Sequence, residues 1–510
     1  MEINQKNQLN HRLSIQQIWL LVPPILAFIL LSLAPLREGD LWWHLKIGEE
    51  IYFTHRIPQS DHFSFTAFGS GYYFARSWLS DLAFYGIYRI GGLSSLVSFQ
   101  ALTASAIIVI LIQQSLNRFS SPRVTSVLAM ISLLGLYSFS TARPQIFSFP
   151  CFAFFTKILA DTWYERKRRL WVLPVIMLVW VNCHAAWVIG LFLIGLVVLL
   201  ALLRSVSLNR GWGEMRPLFI WGGLTLLVVL VNPEGINIIK DPLAASSNLY
   251  IQQYISEWQP VSVTQTYALP FFILLVILIF ALAYSRTMPD LYSFGLMLAF
   301  LLLSMRYVRA LPFYYILVTP FIAGWLSGLD LGVSVFSKRG PESHDRIPRS
   351  GSPRLNTAIL AGLILFSILS IPQVRLPLTG KTELDLVDDY FPIGAAQFLE
   401  NLEGEEIRLF NMPEWGGYLN WRLNPKMRVF VDGRVELYPS GVWQDYIRIA
   451  RVDGDWVELL NQYRVDYLVL SKDRHTGLIS AARQAGLPRL FEDEKSILFM
   501  VEKNSHITGE

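Results

Sequence analysis

Residues 37–53, REGDLWWHLKIGEEIYF, follow directly on an apolar run at 17–36. A helix needs roughly 20 apolar residues to cross a hydrocarbon core about 30 Å thick, and that run has the length. Asp40, Trp42, Trp43 and His44 therefore fall just past the end of a span, at the membrane surface, where a membrane-embedded enzyme would keep an active site. Within the stretch, Trp43, Ile47 and Ile51 lie four apart on one stripe while His44, Lys46, Glu49 and Glu50 fall elsewhere. That spacing predicts an amphipathic helix lying in the interface.

The same length criterion, applied outward, finds apolar runs at 92–114, 124–140, 144–161, 170–183, 186–203, 217–232, 266–284, 290–305, 309–327 and 355–373. With 17–36 the expectation is about eleven spans. The chain of 510 residues is 53% hydrophobic and 16% charged, which excludes an ordinary soluble protein. Both cysteines, Cys151 and Cys183, sit in apolar runs, so no disulfide is expected. The first run lacks a small-residue cleavage site and reads as a retained start-transfer helix. The net charge of +4 comes from the basic loops and calls for no nucleic-acid partner.

Those basic loops set an orientation. With Lys6 and Arg12 in the cytoplasm, Arg118 and Arg123, the run 166–169, Arg204, Arg210 and Arg216, Arg286, and the segment 338–354 all alternate onto the same side. The loops 37–91 and 233–265 and everything after residue 373 then lie outside. The organisation read from this is a membrane domain over 1–327 with outer loop 37–91, a Pro/Ser/Gly-rich cytoplasmic linker at 328–354, a last span at 355–373 and an extracytoplasmic domain over 374–510. In that last domain EEIRLFNM, KMRVFVDG, VDYLVLS and SILFMVE read as strands. Between them IGAAQFLENL, VWQDYIRIA, DWVELLNQY and LISAARQAG have helical spacing. The alternation predicts a small α/β domain with a mostly parallel sheet and no phosphate-binding glycine loop.

Asp40 opens the first outer helix, as an N-cap or as a general base at the surface. His44 shares its face, as an exposed interfacial residue or a substrate contact. Arg76 and Asp81 fit an ordinary surface pair, and Asp61 a turn. Arg143, Arg306 and Arg309 fall at outer span ends, where a guanidinium suits phosphate. His184, Glu234 and Glu257 add ionisable groups on the outer side. His44, His62, His184 and these acids allow a divalent metal, although their spacings match no ligand motif. In the terminal domain, Gly416–Gly417 suggest a close backbone approach, and Trp415, Tyr418, Asp432 and Arg434 suit stacking and hydrogen bonding to a glycan.

An Asp just after the first span, two amphipathic helices in a long first outer loop, many spans and a terminal outer domain resemble the GT-C superfamily of membrane glycosyltransferases. GDLWWHLKIGEEI, IPQSDHFSFT, SWLSDL, ARPQIFS, NCHAAWVIGL, NPEG, ISEWQP, RYVRALPF, EWGGYLNWRL and VFVDGR are more narrowly similar to a bacterial group of GT-C-like, family-39-like membrane proteins. The resemblance implies a polytopic α-helical inner-membrane protein that moves a sugar from a polyprenyl phosphate to an extracytoplasmic glycan, lipid or protein acceptor. It carries Asp40 over as the catalytic carboxylate that acts at the acceptor, as base or acceptor-orienting group. Trp43, His44, Arg76, Arg143, His184, Glu257, Arg306 and Arg309 are the substrate-binding candidates. Asp40 is followed by Leu41, where many relatives of the protein mannosyltransferase type carry Glu. The alternative is a non-catalytic scaffold that binds polyprenyl lipid or an envelope glycan. A transporter is the weakest reading, because the spans carry no charge at mid-membrane depth.

Overall fold

The computed structural model describes residues 13–71, 74–165, 169–207, 215–240, 256–285, 289–327, 352–404 and 406–501. Residues 328–351 of the expected linker, 166–168 of the basic run and Arg286 lie outside them. In chain order the larger helices are α1 (Ile15–Leu33), α2 (Asp40–Thr54) and the stretch Trp78–Leu116. That stretch breaks at Gly91 and at Gly92, whose φ of +62° and ψ of −155° suit only glycine, into α3 (78–90) and α4 (93–116). Then come α5 (Pro122–Tyr137), α6 (Gln145–Glu165), α7 (Val172–Cys183), α8 (Trp187–Ser207), α9 (Arg216–Val228), α10 (Leu269–Tyr284), α11 (Leu291–Arg306), α12 (Leu311–Leu326) and α13 (Pro353–Ser370). Every apolar run read as a span is helical. Six helices among the described residues are long and apolar enough to cross a membrane, and four shorter apolar ones accompany them.

By packing, the chain forms two compact units. One comprises residues 1–34, 97–141 and 145–380; the other comprises 35–96, 142–144 and 381–510. The segment 35–96 thus clusters with the C-terminal segment, a different cut from the sequential sections read along the chain.

The helical unit is built around α12. Its sequence, LPFYYILVTPFIAGWL, is apolar on every side, and all its residues but Gly324 are buried, as expected of a central helix. Gly135 of α5 lets that contact close, because a Cβ there would stand 2.4 Å from the Tyr315 ring. Ser132 and Thr319 satisfy each other's hydroxyls across the same interface at 2.7 Å.

The second unit holds α2, α3 and a five-stranded sheet in the order β2-β1-β3-β5-β4. The strands are β1 (Ile407–Asn411), β2 (Met427–Val429), β3 (Tyr467–Ser471), β4 (Arg489–Glu492) and β5 (Ser496–Met500). β2, β1 and β3 are parallel as expected, whereas β5 and β4 join antiparallel, so the sheet is mixed. Phe410, Phe430, Leu468 and Leu470 form a core with Tyr446, Ile449, Leu460 and Leu478 from helices 440–451, 456–462 and 476–484. The segment between α2 and α3 extends the sheet edge: Phe65 N–H donates to Val429 O at 3.2 Å.

Candidate functional site

Gly39 is the N-cap of α2, and Asp40 occupies the first turn without a side-chain capping bond, so the capping role does not account for it. Its carboxylate is a third exposed. Trp43, one turn on, donates its indole N–H to Asp40 Oδ1 at 3.2 Å, and Arg143 Nη2 stands 3.8 Å from Oδ2. Arg143 Nη1 also lies 3.6 Å from Glu38 Oε2. Contacts this long between part-exposed groups contribute only about 0–1 kcal/mol. One carboxylate oxygen is therefore held by Trp43, and the other shares a cation with Glu38.

The wall beside this carboxylate is C-terminal backbone. Helix 413–423 packs on α2 through glycine: a Cβ on Gly417 would meet Gly39 O at 2.6 Å, and one on Gly39 would meet Glu414 O at 2.9 Å. A Cβ on Gly433 would come 2.6 Å from Asp40 Oδ1. The close approach expected at Gly416–Gly417 is thus present.

Asp432 and Arg434 flank Gly433 and are fully buried. Arg434 Nη1 pairs with Asp61 Oδ1 at 2.7 Å, and its Nε donates to Asp432 Oδ1 at 3.0 Å. Its guanidinium lies over the Phe63 ring at 5.2 Å and the Trp43 ring at 6.0 Å. Burial pulls its pKa down, but Asp432 and Asp61 outweigh burial and hold it well above the ordinary arginine value. The glycan-binding role considered for Trp415, Tyr418, Asp432 and Arg434 is corrected here: all four are about 1% exposed or less, in the core. Asp61 does make the expected turn, accepting from Ser64 N–H at 3.0 Å, and adds the Arg434 pair.

Two further expectations change. His44 is buried, with Nδ1 2.6 Å from Asp81 Oδ1. Arg76 pairs instead with Glu436 at 3.0 Å. The interfacial reading of α2 changes with them, because Leu41, Trp42, Leu45 and Gly48 are buried as well as the Trp43–Ile47–Ile51 stripe. Trp42 packs edge-on against Phe391 and Tyr418 at 5.7 and 5.0 Å. A Cβ on Gly48 would stand 2.1 Å from Asp81 O, so α3 covers the opposite side.

The remaining candidates belong to the helical unit. His184 Nδ1 is 2.8 Å from the Ser148 hydroxyl, which also accepts the Trp180 indole N–H at 2.8 Å. Beside it the NCH and NPEG motifs meet, Asn232 donating to Asn182 Oδ1 at 3.1 Å. Arg306 and Arg309 end α11 and open the turn before α12; Arg309 stacks over Trp258 at 4.4 Å, next to Glu257, and Arg306 over Tyr307 at 5.0 Å. No three His, Cys, Asp or Glu side chains converge among the described residues.

No family model matches the sequence, and no curated protein matches it. Solved structures do. The chain superposes on the Archaeoglobus fulgidus oligosaccharyltransferase in its apo form with a TM-score of 0.51 at 11% identity, covering 89% of this chain and 70% of that one. What the match shows is a shared fold. The same archaeal enzyme, AglB, in complex with an inhibitory peptide and a dolichol-phosphate, gives a TM-score of 0.51 at 10% identity over 89% of this chain and 69% of that one. ArnT from Cupriavidus metallidurans bound to undecaprenyl phosphate superposes at 0.49 with 15% identity, over 96% of this chain and 98% of that one.

Within this fold, sequence reasoning missed Glu38, which stands two residues before Asp40 and shares Arg143 with it. The Glu-x-Asp spacing was the available signal. It also missed Gly433, for which sequence carries no signal, since only the tertiary fold brings it to Asp40.

Proposed function

We propose that this protein is a GT-C-type glycosyltransferase that moves a sugar from a polyprenyl-phosphate donor to an extracytoplasmic acceptor, working in a bacterial plasma membrane with Asp40 on the outer side. The observation that carries the reading is the Asp40 carboxylate, in the first turn of a helix within a GT-C fold, held by Trp43 and sharing Arg143 with Glu38. The dolichol-phosphate held by the neighbouring archaeal enzyme supports a lipid-phosphate donor. Asp40 orients the acceptor hydroxyl and takes its proton as the acceptor oxygen bonds to the anomeric carbon. The bond from that carbon to the phosphate oxygen breaks, and polyprenyl phosphate leaves with the electron pair. Arg143 is the cation for that phosphate on this unit, and Arg306 and Arg309 are the candidates on the helical unit. His44, buried against Asp81, acts here as a support for α2.

The test is mass spectrometry of lipids that co-purify with the wild type and with Asp40→Ala, followed by turnover with the donor so identified. A polyprenyl phosphate or its glycosylated form in the wild type, with transfer lost in Asp40→Asn at unchanged protein level, is expected. Full activity in Asp40→Asn removes Asp40 from the mechanism. Bulk phospholipid alone in both samples favours the non-catalytic scaffold.

A further inference from the structure

Beyond the last apolar helix the chain comes back to the turn that carries Asp40. Residues 382–391 form a strap within the second unit. Its first part is a single 3-10 turn, Glu383–Leu386, closed by Thr382 N–H donating to Asp385 Oδ2 at 2.7 Å.

Both carboxylate oxygens of Glu383 are engaged on α4. Oε2 accepts Leu93 N–H at 3.1 Å, and Oε1 accepts Ser94 N–H at 3.2 Å. The first amides of a helix have no partner inside it and carry its positive end, so a carboxylate placed there is a charge-assisted pin. Gly92 leaves the space, because a Cβ at that position would run into the Glu383 carboxylate.

The rest of the strap grips the Asp40 turn. Leu36 N–H donates to Leu386 O at 2.7 Å, and Asp388 N–H donates to Leu36 O at 3.1 Å, a parallel bridge on a buried residue. The Phe391 ring meets the Trp42 ring edge-on at 5.7 Å. Tyr390 O accepts the Trp415 indole N–H at 2.9 Å, which ties the strap to helix 413–423 as well. Glu38 and Asp40, the two acids that share Arg143, lie between Leu36 and Trp42. Both ends of their turn are therefore attached to one strap, and the strap is pinned by Glu383.

We infer that Glu383 is a positioning residue: by pinning the strap to α4 it holds the turn 36–42, and with it Glu38 and Asp40, in one place. The inference rests on the proposed role of Asp40 and adds the element that fixes it. Glu383 acts through the backbone of the strap and not on the reacting atoms. A loosened strap lets the Asp40 turn shift, and misplacing a reacting group by about 1 Å costs about 100-fold in rate.

The test is hydrogen exchange read by mass spectrometry on the full chain in nanodiscs, wild type against Glu383→Gln. Glutamine keeps one acceptor and loses the charge and the second acceptor. Exchange at 93–96 and at 36–42 is expected to rise together, each by about tenfold, with β1 and β3 unchanged. A rise confined to 93–96 is that of an ordinary helix cap and overturns the inference. A rise that includes β1 and β3 is general unfolding and overturns it too. Turnover of the donor identified by lipid mass spectrometry is the second readout, with kcat about tenfold lower at unchanged KM expected. Wild-type kcat in Glu383→Gln beside an inactive Asp40→Asn overturns the positioning role alone. Activity kept in Asp40→Asn is the failure of the proposed chemistry, seen whatever Glu383→Gln does, and removes the positioning role with it. If Glu383→Gln does not fold, Phe391→Leu takes its place: faster exchange at 40–46 with lower kcat is expected, and no change in either overturns the inference.

Discussion

Gly433→Ala tests the placement of Asp40 by adding a single methyl group. The new Cβ would stand 2.6 Å from Asp40 Oδ1, against about 3.3 Å for an uncompressed carbon–oxygen contact, so the carboxylate must retreat by about 0.7 Å. The φ of Gly433 lies outside the left-handed region, so alanine adds no backbone strain. The neighbouring Trp43 bond, 3.2 Å long, stretches or breaks with the retreat, at a stability cost of about 1 kcal/mol. Misplacement of a reacting group by about 1 Å costs about 100-fold in rate, so a loss of roughly 10- to 100-fold in kcat is expected with only a small change in melting temperature. The assay is transfer from the donor identified by lipid mass spectrometry. Gly441→Ala is the control, because a Cβ there meets nothing within 4 Å. Wild-type turnover in Gly433→Ala together with an inactive Asp40→Asn refutes the reasoning, since the carboxylate would then be needed but not in this position.

Arg143→Gln should raise KM for the lipid-linked donor more than it lowers kcat; donor titrations check this. Arg434→Ala leaves Asp61 and Asp432 buried without their cation and should destabilise the second unit by about 3–5 kcal/mol, read as a drop in folded protein after extraction. His475 accepts Ser471 N–H at Nδ1, and burial lowers its pKa to about 4. The unfolded chain, with a histidine pKa of about 6.5, binds the proton first, so stability falls as pH drops from about 6.5 to 4. Thermal midpoints across that window should fall less steeply in His475→Asn than in the wild type.

Local period and turn chemistry were enough to place most elements. Eleven apolar runs became helices within a few residues of their expected ends. Four strands were found from β-branched and aromatic runs. β4, RLFE, was missed because its residues, partly to fully exposed, show no alternation. Helix 413–423 was missed because paired glycines argue against a helix, and it forms because only glycine lets it approach α2 and the strand end after β2.

The sequence by itself determined that this is a helical membrane protein with a small α/β portion, and it singled out Asp40, because span length and hydrophobic period are written in consecutive residues. Only the tertiary structure decided that His44 is buried against Asp81, that Arg434 is a core cation held by Asp61 and Asp432, and that Gly433 lies against the Asp40 carboxylate. A polar side chain is solvated or buried according to a partner elsewhere in the chain. Its identity and spacing in the sequence do not contain that partner.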